Sequence, residues 1–395
     1  MRLPTLARTS PLVVAALVAA APASSAIDQP LARARATLSL PRTPDAMQRR
    51  YDAGRDLEEA VDWSRTRLRR CVAQTALSLG RGLVRQAEGY DHPRRAMEDI
   101  GRRQATAAAE RLRHCPASDD LVSVARFPFA PARLPALVRA TPERDVDALL
   151  AKRLRDLGQT FPGWAAIWVH DLKTGRAAGW NSDAQFPAAS TVKLGVLLTA
   201  LARLRHPERS QLDYDLRAMT RWSSNLAANR LLRRVGGPAA VERALRRAGA
   251  HRSTYPQGYR VGTALSLDVK KQPPYVSGRV TTAHDLGRIL YLLHAGALGN
   301  KRALRTGKLD RARSRYALGL LLDSEQRGNN IGLLRPWLPG TLIAQKNGWL
   351  HDARHTAAIV YFRGGPKIVV VLTYAPNLRL TTARDLGRRV LLAVR

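Results

Sequence analysis

Apolar residues recur at helical spacing over residues 44–88, with Leu57 and Val61 on one stripe. The segment Gly-Tyr-Asp-His-Pro at 89–93 interrupts this pattern, and a second helical pattern follows over 94–114. We therefore predict an antiparallel helical hairpin that fills the region 27–115. Its polar residues are interpreted as a solvated helical face that carries no chemistry.

The segments on either side of the hairpin have the composition of connecting chain. Residues 27–43 are rich in Pro, Arg and Ala, which predicts a flexible lead-in. Residues 116–140 hold four prolines and little periodicity, which predicts a linker. A second domain is expected over residues 141–395.

In this second domain, strand-like runs occur near both ends and helical patterns lie between them. Such an order predicts an α/β sandwich in which the end strands pair with each other. The predicted strands cover 164–170, 176–180, 355–362 and 367–374, and the predicted helices cover 142–157, 190–205, 211–234, 238–249, 282–295 and 382–394.

The first 26 residues have the layout of a secretory signal peptide. Arg2 and Arg8 precede an apolar run at 11–20, and small residues end the stretch at Ala23 and Ala26. We expect cleavage near Ala23 or Ala26, and a periplasmic or secreted protein with no transmembrane segment after cleavage.

The chain has 395 residues, 45% of them apolar, which is enough for two domains with sizeable cores. Its formal net charge is +34, but the arginines are spread along the whole chain without an aromatic-interleaved cluster. Together with export, this distribution argues against nucleic acid as a partner. An anionic cell-envelope surface, or no partner at all, stays open as the reason for the charge.

The chain contains two cysteines, Cys71 and Cys115. An even cysteine count in an exported protein favours a disulfide over two buried thiols. In a hairpin that turns about Asp91, Cys71 lies 20 residues before the turn and Cys115 lies 24 residues after it. Because both helices rise equally per residue, the two cysteines are expected to lie level and to be bridged.

The segment Phe-Pro-Ala-Ala-Ser-Thr-Val-Lys at 186–193 runs into an apolar helical pattern, which puts Ser190 at or near a helix N-terminus. A serine hydroxyl becomes a nucleophile when a neighbouring base takes its proton. Lys193, one turn further on, can be that base if burial or a nearby cation lowers its pKa. The alternative is a serine that only caps the helix, followed by a lysine exposed to solvent. Further motifs in the chain are needed to choose between these two interpretations.

Two further motifs follow Ser190-x-x-Lys193 in the chain, namely Ser223-Ser-Asn225 on a helical pattern and Lys346-Asn-Gly348 entering a strand. Ser-x-x-Lys, Ser-x-Asn and Lys-x-Gly in this order form the motif set of penicillin-recognising serine enzymes. These segments, the turn-linked strand pair and the helix start at 281–288 resemble class A β-lactamases. The resemblance covers about residues 140–395 and leaves the hairpin outside.

The resemblance implies an α/β, β-lactamase-like fold, with an antiparallel five-stranded sheet flanked by helices plus an all-helical half, here preceded by the α-helical hairpin. It also implies that Ser190 attacks a strained or activated carbonyl and forms an acyl-enzyme while Lys193 holds or relays its proton. Ser223 and Lys346 would return a proton to the leaving nitrogen, and Lys346 would attract the substrate carboxylate.

The same resemblance implies a set of groups that bind the substrate. Asn225 would hold the side-chain amide, and the backbone N–H groups of Ser190 and Trp349 would meet the oxyanion. The third motif would add Asn347 as an amide donor, and Gly348 as part of the same strand. Arg354 offers a second positive group, in a bidentate geometry that suits a carboxylate. For both Asn347 and Arg354, the alternative is a surface residue on the strand.

Two departures from the family pattern affect the walls of the cleft. Ser224 stands where the family usually has an aspartate that supports the loop, so we expect a loss of rigidity more than of mechanism. Only 33 positions separate Ser190 from Ser223, which is shorter than in typical class A enzymes and predicts a more open mouth.

The third departure concerns the loop glutamate on which deacylation in the family depends. From 251 to 280 this chain has no glutamate, and Asp268 is the one acidic residue. An alignment from Ala248 puts Tyr259 near the glutamate's place. Ser253, Thr254, Tyr255 and Tyr259 are not bases at neutral pH, so the deacylating base is expected to be absent.

We therefore expect an exported serine hydrolase that forms an acyl-enzyme at Ser190, with β-lactam hydrolysis and slow deacylation as the leading activity. A D-Ala-D-Ala peptidase or penicillin-binding protein is one alternative. A sensor that is acylated by β-lactam without turnover, and reports through the hairpin, is another. The expected ligand is a β-lactam or a peptidoglycan-derived peptide, and no cofactor or metal is expected because the histidines are scattered without ligand spacing.

Overall fold

The computed structural model describes residues 27–62, 67–122, 134–138, 140–204, 206, 208, 210–256, 278–324 and 330–395. The predicted signal peptide lies outside these residues. None of the helices described is long and apolar enough to cross a membrane. The strands are β1 (Leu68–Arg69), β2 (Leu121–Val122), β3 (Asp145–Val146), β4 (Trp164–Asp171), β5 (Arg176–Trp180), β6 (Phe186–Pro187), β7 (Val280–Thr281), β8 (Ile343–Trp349), β9 (Ala353–Phe362) and β10 (Gly365–Tyr374).

The helices form two groups, one before and one after the linker region. The first group is α1 (Asp28–Ala36), α2 (Pro44–Asp62), α3 (Arg70–Asp91) and α4 (Arg95–Arg111). The second group is α5 (Ala148–Gln159), α6 (Lys193–Arg203), α7 (Asp213–Arg221), α8 (Asn225–Arg234), α9 (Gly237–Arg247), α10 (Ala283–Ala297), α11 (Lys301–Gly307), α12 (Arg311–Leu322) and α13 (Leu380–Val394).

Within the described residues, the main sheet has the strand order β3-β5-β4-β10-β9-β8. The predicted pairing of the end strands is confirmed, since β10 runs antiparallel to β4 with Val370 opposite Trp168. Five strands form the expected antiparallel sheet, and the two-residue strand β3 adds a sixth that runs parallel to β5. The helix predicted from residue 142 therefore begins later, at Ala148, where the Asp147 carboxylate accepts a hydrogen bond from the N–H of Leu150 at 3.0 Å.

The sheet is buried on both faces, because alternate side chains along each strand enter different apolar cores. Val370 and Leu372 of β10 belong to the core formed with the helical half of the domain. Val369 and Val371 belong to the core under α5 and α13. Edge strand β8 carries the third sequence motif and lies beside the helical half of the domain.

The N-terminal region differs from the predicted two-helix hairpin. Residues 28–36 form α1 instead of a flexible lead-in, and Ala34 is fully buried there. In place of the single helix expected over 44–88, the structure has α2 and α3, and residues 68–69 before α3 form β1, which pairs with β2 from the predicted linker. The predicted turn is confirmed, since α3 ends at Asp91 and α4 starts at Arg95.

Glycines allow α3 and α4 to touch along their length. A Cβ atom at Gly101 would lie 2.3 Å from the backbone N of Gln86, and one at Gly82 would lie 2.6 Å from that of Ala105. Real Cβ atoms do not approach this closely, so alanine at either position would force the helices apart.

The predicted disulfide between Cys71 and Cys115 is present, with Cα atoms 5.6 Å apart. It joins the first turn of α3 to the end of the segment after α4, at the open end of the hairpin. We expect the Cys71→Ala/Cys115→Ala variant to lose about 3–4 kcal/mol of unfolding free energy, because the unfolded chain is no longer constrained over this loop.

Urea denaturation with and without a reductant measures this loss, and the double variant should match the reduced parent. Equal midpoints for the oxidised and reduced parent would contradict the expectation. A non-reducing peptide map that shows two free thiols would do the same.

The polar face of α2 is buried, not solvated as its sequence suggested. Arg230 of α8 is 3% exposed and donates to Asp56 at 2.9 Å and to Glu59 at 2.5 Å, both on α2. Its Nε lies 2.9 Å from Asp215, which also accepts the Tyr51 hydroxyl at 2.8 Å. Burial alone lowers the pKa of Arg230, but these carboxylates outweigh that effect and raise it above its ordinary value.

This buried cluster docks the N-terminal helices onto α7 and α8. Removing one partner from such a cluster leaves a buried uncompensated charge and typically costs ~3–5 kcal/mol. A second link is the hydrogen bond from the Tyr214 hydroxyl of α7 to Glu88 of α3, at 2.8 Å. Burial raises the pKa of Glu88 to about 8. The N-terminal helices are thus an integral part of the folded molecule.

Candidate active site

Ser190 lies in a tight turn immediately before α6. The turn is held by a hydrogen bond from the Lys193 N–H to the Ser190 carbonyl at 3.2 Å and by the pairing of β6 with β7. Ala189, directly before the serine, has a φ of 46°, which is strained for a residue with a Cβ. The His355 ring adds a 2.7 Å contact to the carbonyl of Pro187. The segment therefore presents Ser190, half-buried, in a fixed conformation.

Lys193 is the first residue of α6 and is fully buried. Its amine donates to the carbonyl and the hydroxyl of Ser223, at 2.6 and 3.3 Å, and to the Asn225 Oδ1 at 2.8 Å. Burial lowers its pKa well below the ordinary value, and the charges of Lys346 and Arg279 lower it further. Asp91 acts in the opposite direction. A buried lysine with a depressed pKa can serve as a proton acceptor.

The second motif occupies a break between two helices, not the single helix predicted over 211–234. Ser223 has a φ of 65°, which turns the chain out of α7, and Ser224 then caps α8. The Ser224 hydroxyl accepts from the N–H of Ala227 at 3.1 Å. Asn225 follows as the first residue of α8. The break aims the Ser223 side chain and the Asn225 amide at Lys193.

Lys346 of β8 is 1% exposed, and its amine donates to the Ser223 hydroxyl at 2.8 Å and to the Asn347 carbonyl at 2.9 Å. Burial lowers the pKa of Lys346 to about 7. The Ser223 hydroxyl therefore contacts the amines of both Lys193 and Lys346. A hydroxyl between two amines of depressed pKa is well placed to pass a proton between them.

Gly348 brings β8 against the nucleophile segment. A Cβ atom at this position would lie 2.9 Å from the backbone nitrogens of Ser190 and Thr191 and 3.0 Å from the Ala189 Cβ. No other residue allows that approach. Trp349, the next residue on this edge strand, is 51% exposed.

The Asn347 side chain has partners inside the protein. Its amide nitrogen donates to the Asn330 carbonyl at 2.7 Å, and its Oδ1 accepts from the Thr356 hydroxyl at 2.8 Å. The residue is 3% exposed, so its side-chain amide is engaged inside the protein. Alternation along β8 explains this, since Asn347 points to the face opposite Lys346. Arg354 is half-buried and donates to the Ala353 carbonyl at 2.9 Å.

The loop expected to lack a base is described in part. The Ser253 hydroxyl contacts Asp285 Oδ2 at 2.8 Å, and the Thr254 hydroxyl donates to the Gly278 carbonyl. Both groups are therefore engaged in holding the loop. Tyr259 and Asp268 lie outside the described residues.

One group of residues at this site lies at the tip of the hairpin and has no signal in the sequence. The Asp91 carboxylate accepts from the backbone N–H of Asn225 at 3.2 Å and lies 3.5 Å from the Asn225 amide nitrogen. His92 follows, with its Nε2 3.4 Å from Asp91 Oδ2. Asp91 and Asn225 are 134 positions apart, and nothing in the spacing of either motif signals the contact.

A family model described as the β-lactamase enzyme family matches residues 149–217 and 204–394, which is more than half of the chain. The chain belongs to the β-lactamase enzyme family. The family model leaves α1 to α4 unmatched.

Solved structures share the fold of this β-lactamase family member. PBP-A is 19% identical, with a TM-score of 0.51, over 65% of this chain and 98% of PBP-A. A variant of the last common ancestor of the class A β-lactamases of Gram-negative bacteria is 21% identical, with a TM-score of 0.51, over 62% and 97%. A β-lactamase from Xanthomonas campestris is 20% identical, with a TM-score of 0.50, over 63% and 97%.

One further similar structure shows a variant of PBP-A as an acyl-enzyme complex with penicillin G. It is 18% identical to this chain, with a TM-score of 0.51, and the alignment covers 64% of this chain and 98% of the variant.

Proposed function

We propose that this protein is an exported serine hydrolase that forms an acyl-enzyme at Ser190 with β-lactams and hydrolyses it slowly. The observation that carries the proposal is the contact of one hydroxyl, that of Ser223, with the buried amines of Lys193 and Lys346. The family supports it, and so does the similarity to PBP-A, a variant of which is known as an acyl-enzyme with penicillin G.

In the acylation step, the Ser190 Oγ attacks the β-lactam carbonyl and its proton passes to the neutral amine of Lys193. The carbonyl C–N bond breaks, and the Ser223 hydroxyl passes its proton to the leaving nitrogen. Lys193 then returns a proton to Ser223, so that no net proton is lost. The product is an ester between Ser190 and the opened ring.

Positive charge favours the substrate and the transition state. Lys346, when protonated, attracts the substrate carboxylate, and Arg354 stands near the start of β9 as a second cation for it. The backbone N–H groups of Ser190 and Trp349 are proposed as the oxyanion donors, which are typically worth about 3–4 kcal/mol each. Asn225 is proposed to hold the substrate's side-chain amide.

Intact-mass measurement after incubation with penicillin G tests the proposal. We expect one adduct of the mass of penicillin G, on the peptide that contains Ser190, and more than one equivalent of penicilloate over hours. Absence of an adduct and of penicilloate at millimolar penicillin G would refute it. Release of D-alanine from a D-Ala-D-Ala peptide would instead identify the peptidase.

A β-lactam sensor is the second candidate, and one observation favours it. The hairpin tip contacts Asn225 in the proposed binding site, so occupancy of the site has a direct route to the N-terminal helices. A permanent adduct without release of penicilloate, accompanied by a change in hydrogen exchange of α3 and α4, would support this function over hydrolysis.

A further inference from the structure

In the part of the chain that the structure describes, the end of α3 reaches the catalytic residues. Asp91 is the last residue of this helix, and its side chain is 1% exposed. Its carboxylate contacts both the backbone N–H and the side-chain amide nitrogen of Asn225. The other end of that amide accepts from Lys193 at 2.8 Å. A continuous chain of contacts therefore links Asp91 through Asn225 to Lys193.

Asp91 also lies at the N-terminus of α8. Asn225 is the first residue of α8, whose initial N–H groups have no partners within the helix. Ser224 satisfies the N–H of Ala227, and Asp91 satisfies that of Asn225. A carboxylate at this end of a helix is favoured by the helix dipole.

Charges of both signs act on Lys193 within the described residues. Lys346 on β8 and Arg279 beside β7 both act on Lys193 as positive charges, whereas Asp91 acts as a negative one. The charges of the same lysines act on His92, whose pKa is lowered by burial below its ordinary value while Asp91 acts in the opposite direction. Asp91 is thus the carboxylate that offsets the cations of the site.

We propose that the hairpin tip is a working part of the catalytic site, with Asp91 as a positioning residue that holds Asn225 and, through it, the Lys193 amine. The inference rests on the proposed function, since it concerns acylation of Ser190. It makes the site dependent on α1 to α4, which the family model does not cover.

Asp91 and Asn225 are far apart in the chain, and the docking of the N-terminal helices keeps their contact in place. Arg230, which donates hydrogen bonds to Asp56 and Glu59 of α2, lies on the same helix as Asn225. The buried cluster fixes the N-terminal helices to the body of α8, and Asp91 meets the start of α8. One short helix is therefore held at two places by the same N-terminal unit.

The test compares Asp91→Asn, which removes the charge, with Asp91→Glu, which keeps it. The first readout is the pKa of Lys193, from the NMR titration of the lysine side-chain signal that disappears in Lys193→Ala. We expect Asp91→Asn to lower this pKa by about one unit or more, because an opposite charge is lost, and Asp91→Glu to leave it near the parent value.

The second readout is the acylation rate constant of Ser190 by a fluorescent penicillin as a function of pH. Acylation needs neutral Lys193, so the acidic limb follows the Lys193 pKa and should move to lower pH in Asp91→Asn. Asp91→Ala, which also releases Asn225, should lower the maximal rate by up to ~100-fold. Asp99→Asn on exposed α4 is the matched control and should follow the parent at every pH.

Coincident Lys193 titrations for the parent, Asp91→Asn and Asp99→Asn would overturn the inference, as would an unmoved acidic limb. The NMR readout needs no turnover, so failure of the parent to be labelled would refute the proposed function alone. A pKa shift confined to Asp91→Asn would still support the positioning role in that case.

Discussion

Ser190→Ala is expected to abolish covalent labelling by a fluorescent penicillin, because the ester to the opened ring can form only at this hydroxyl. The strained turn at Ala189 and the close approach of Gly348 to the Ser190 backbone nitrogen fix the position of this residue. The measurement is in-gel fluorescence after a fixed incubation. Ser39→Ala, on an exposed residue of the N-terminal region, is the control and should label like the parent.

Lys193→Ala should leave Ser190 in place but slow its acylation by ~10²–10⁴-fold, the usual loss when a general base is removed. The exposed lysine of α5 provides the matched control, Lys152→Ala, which should acylate at the parent rate. Stopped-flow acylation at several penicillin concentrations gives the rate constant. Undiminished labelling of Ser190→Ala, or parent-like acylation of Lys193→Ala, would contradict the assignment of the site.

The parts of the fold that the sequence predicted are those encoded by local patterns. Short apolar runs rich in β-branched residues, such as Val369 to Leu372, favour buried strands, and their pairing with β4 follows from the layer rule for strands at both ends of a domain. The three motifs could likewise be found, since each carries its chemistry in residue types at short spacing. The contact of Ser223 with Lys193 and Lys346, by contrast, could be recognised only from the folded structure.

What the sequence could not predict depends on long-range contacts. Amphipathic patterns assign charged residues to solvent, yet Glu59 and Arg230 are buried because each satisfies the other across 171 positions. The break at Ser223 was missed because a left-handed conformation at a residue other than glycine has no local signature. The orientation of Asn347 was missed because its partners, Asn330 and Thr356, lie on other segments.

The hairpin was misjudged for the same physical reason. The sequence at 89–93 reads as a helix breaker, and a breaker is the natural prediction for Gly and Pro in one short segment. Its aspartate acquires a role only when the docked helices bring it to the start of α8. The role of a turn residue depends on the residues that the turn contacts in the folded protein. The local sequence pattern does not contain this information.

Hydrolysis of nitrocefin is expected to show a burst of one equivalent followed by a much slower steady rate. Release of the acyl group needs a base that activates water, and residues 251–280 contain no glutamate. The hydroxyls of Ser253 and Thr254 are engaged in the loop, and Asp91 is engaged with Asn225. Lacking a general base typically costs ~10²–10⁴-fold, so the acyl-enzyme should accumulate at Ser190 and be seen by mass spectrometry.

Two substitutions at Tyr259 test this expectation. The resemblance to class A β-lactamases aligns Tyr259 with the deacylating glutamate, so Tyr259→Glu should raise the steady rate while leaving the burst amplitude unchanged. Tyr259→Gln has the same size without a titratable group and should behave like the parent. Fast, burst-free turnover by the parent would mean that another group activates the water. Asp268 would then be the first residue to replace, and His92, on which the charges of both lysines of the site act, would be the second.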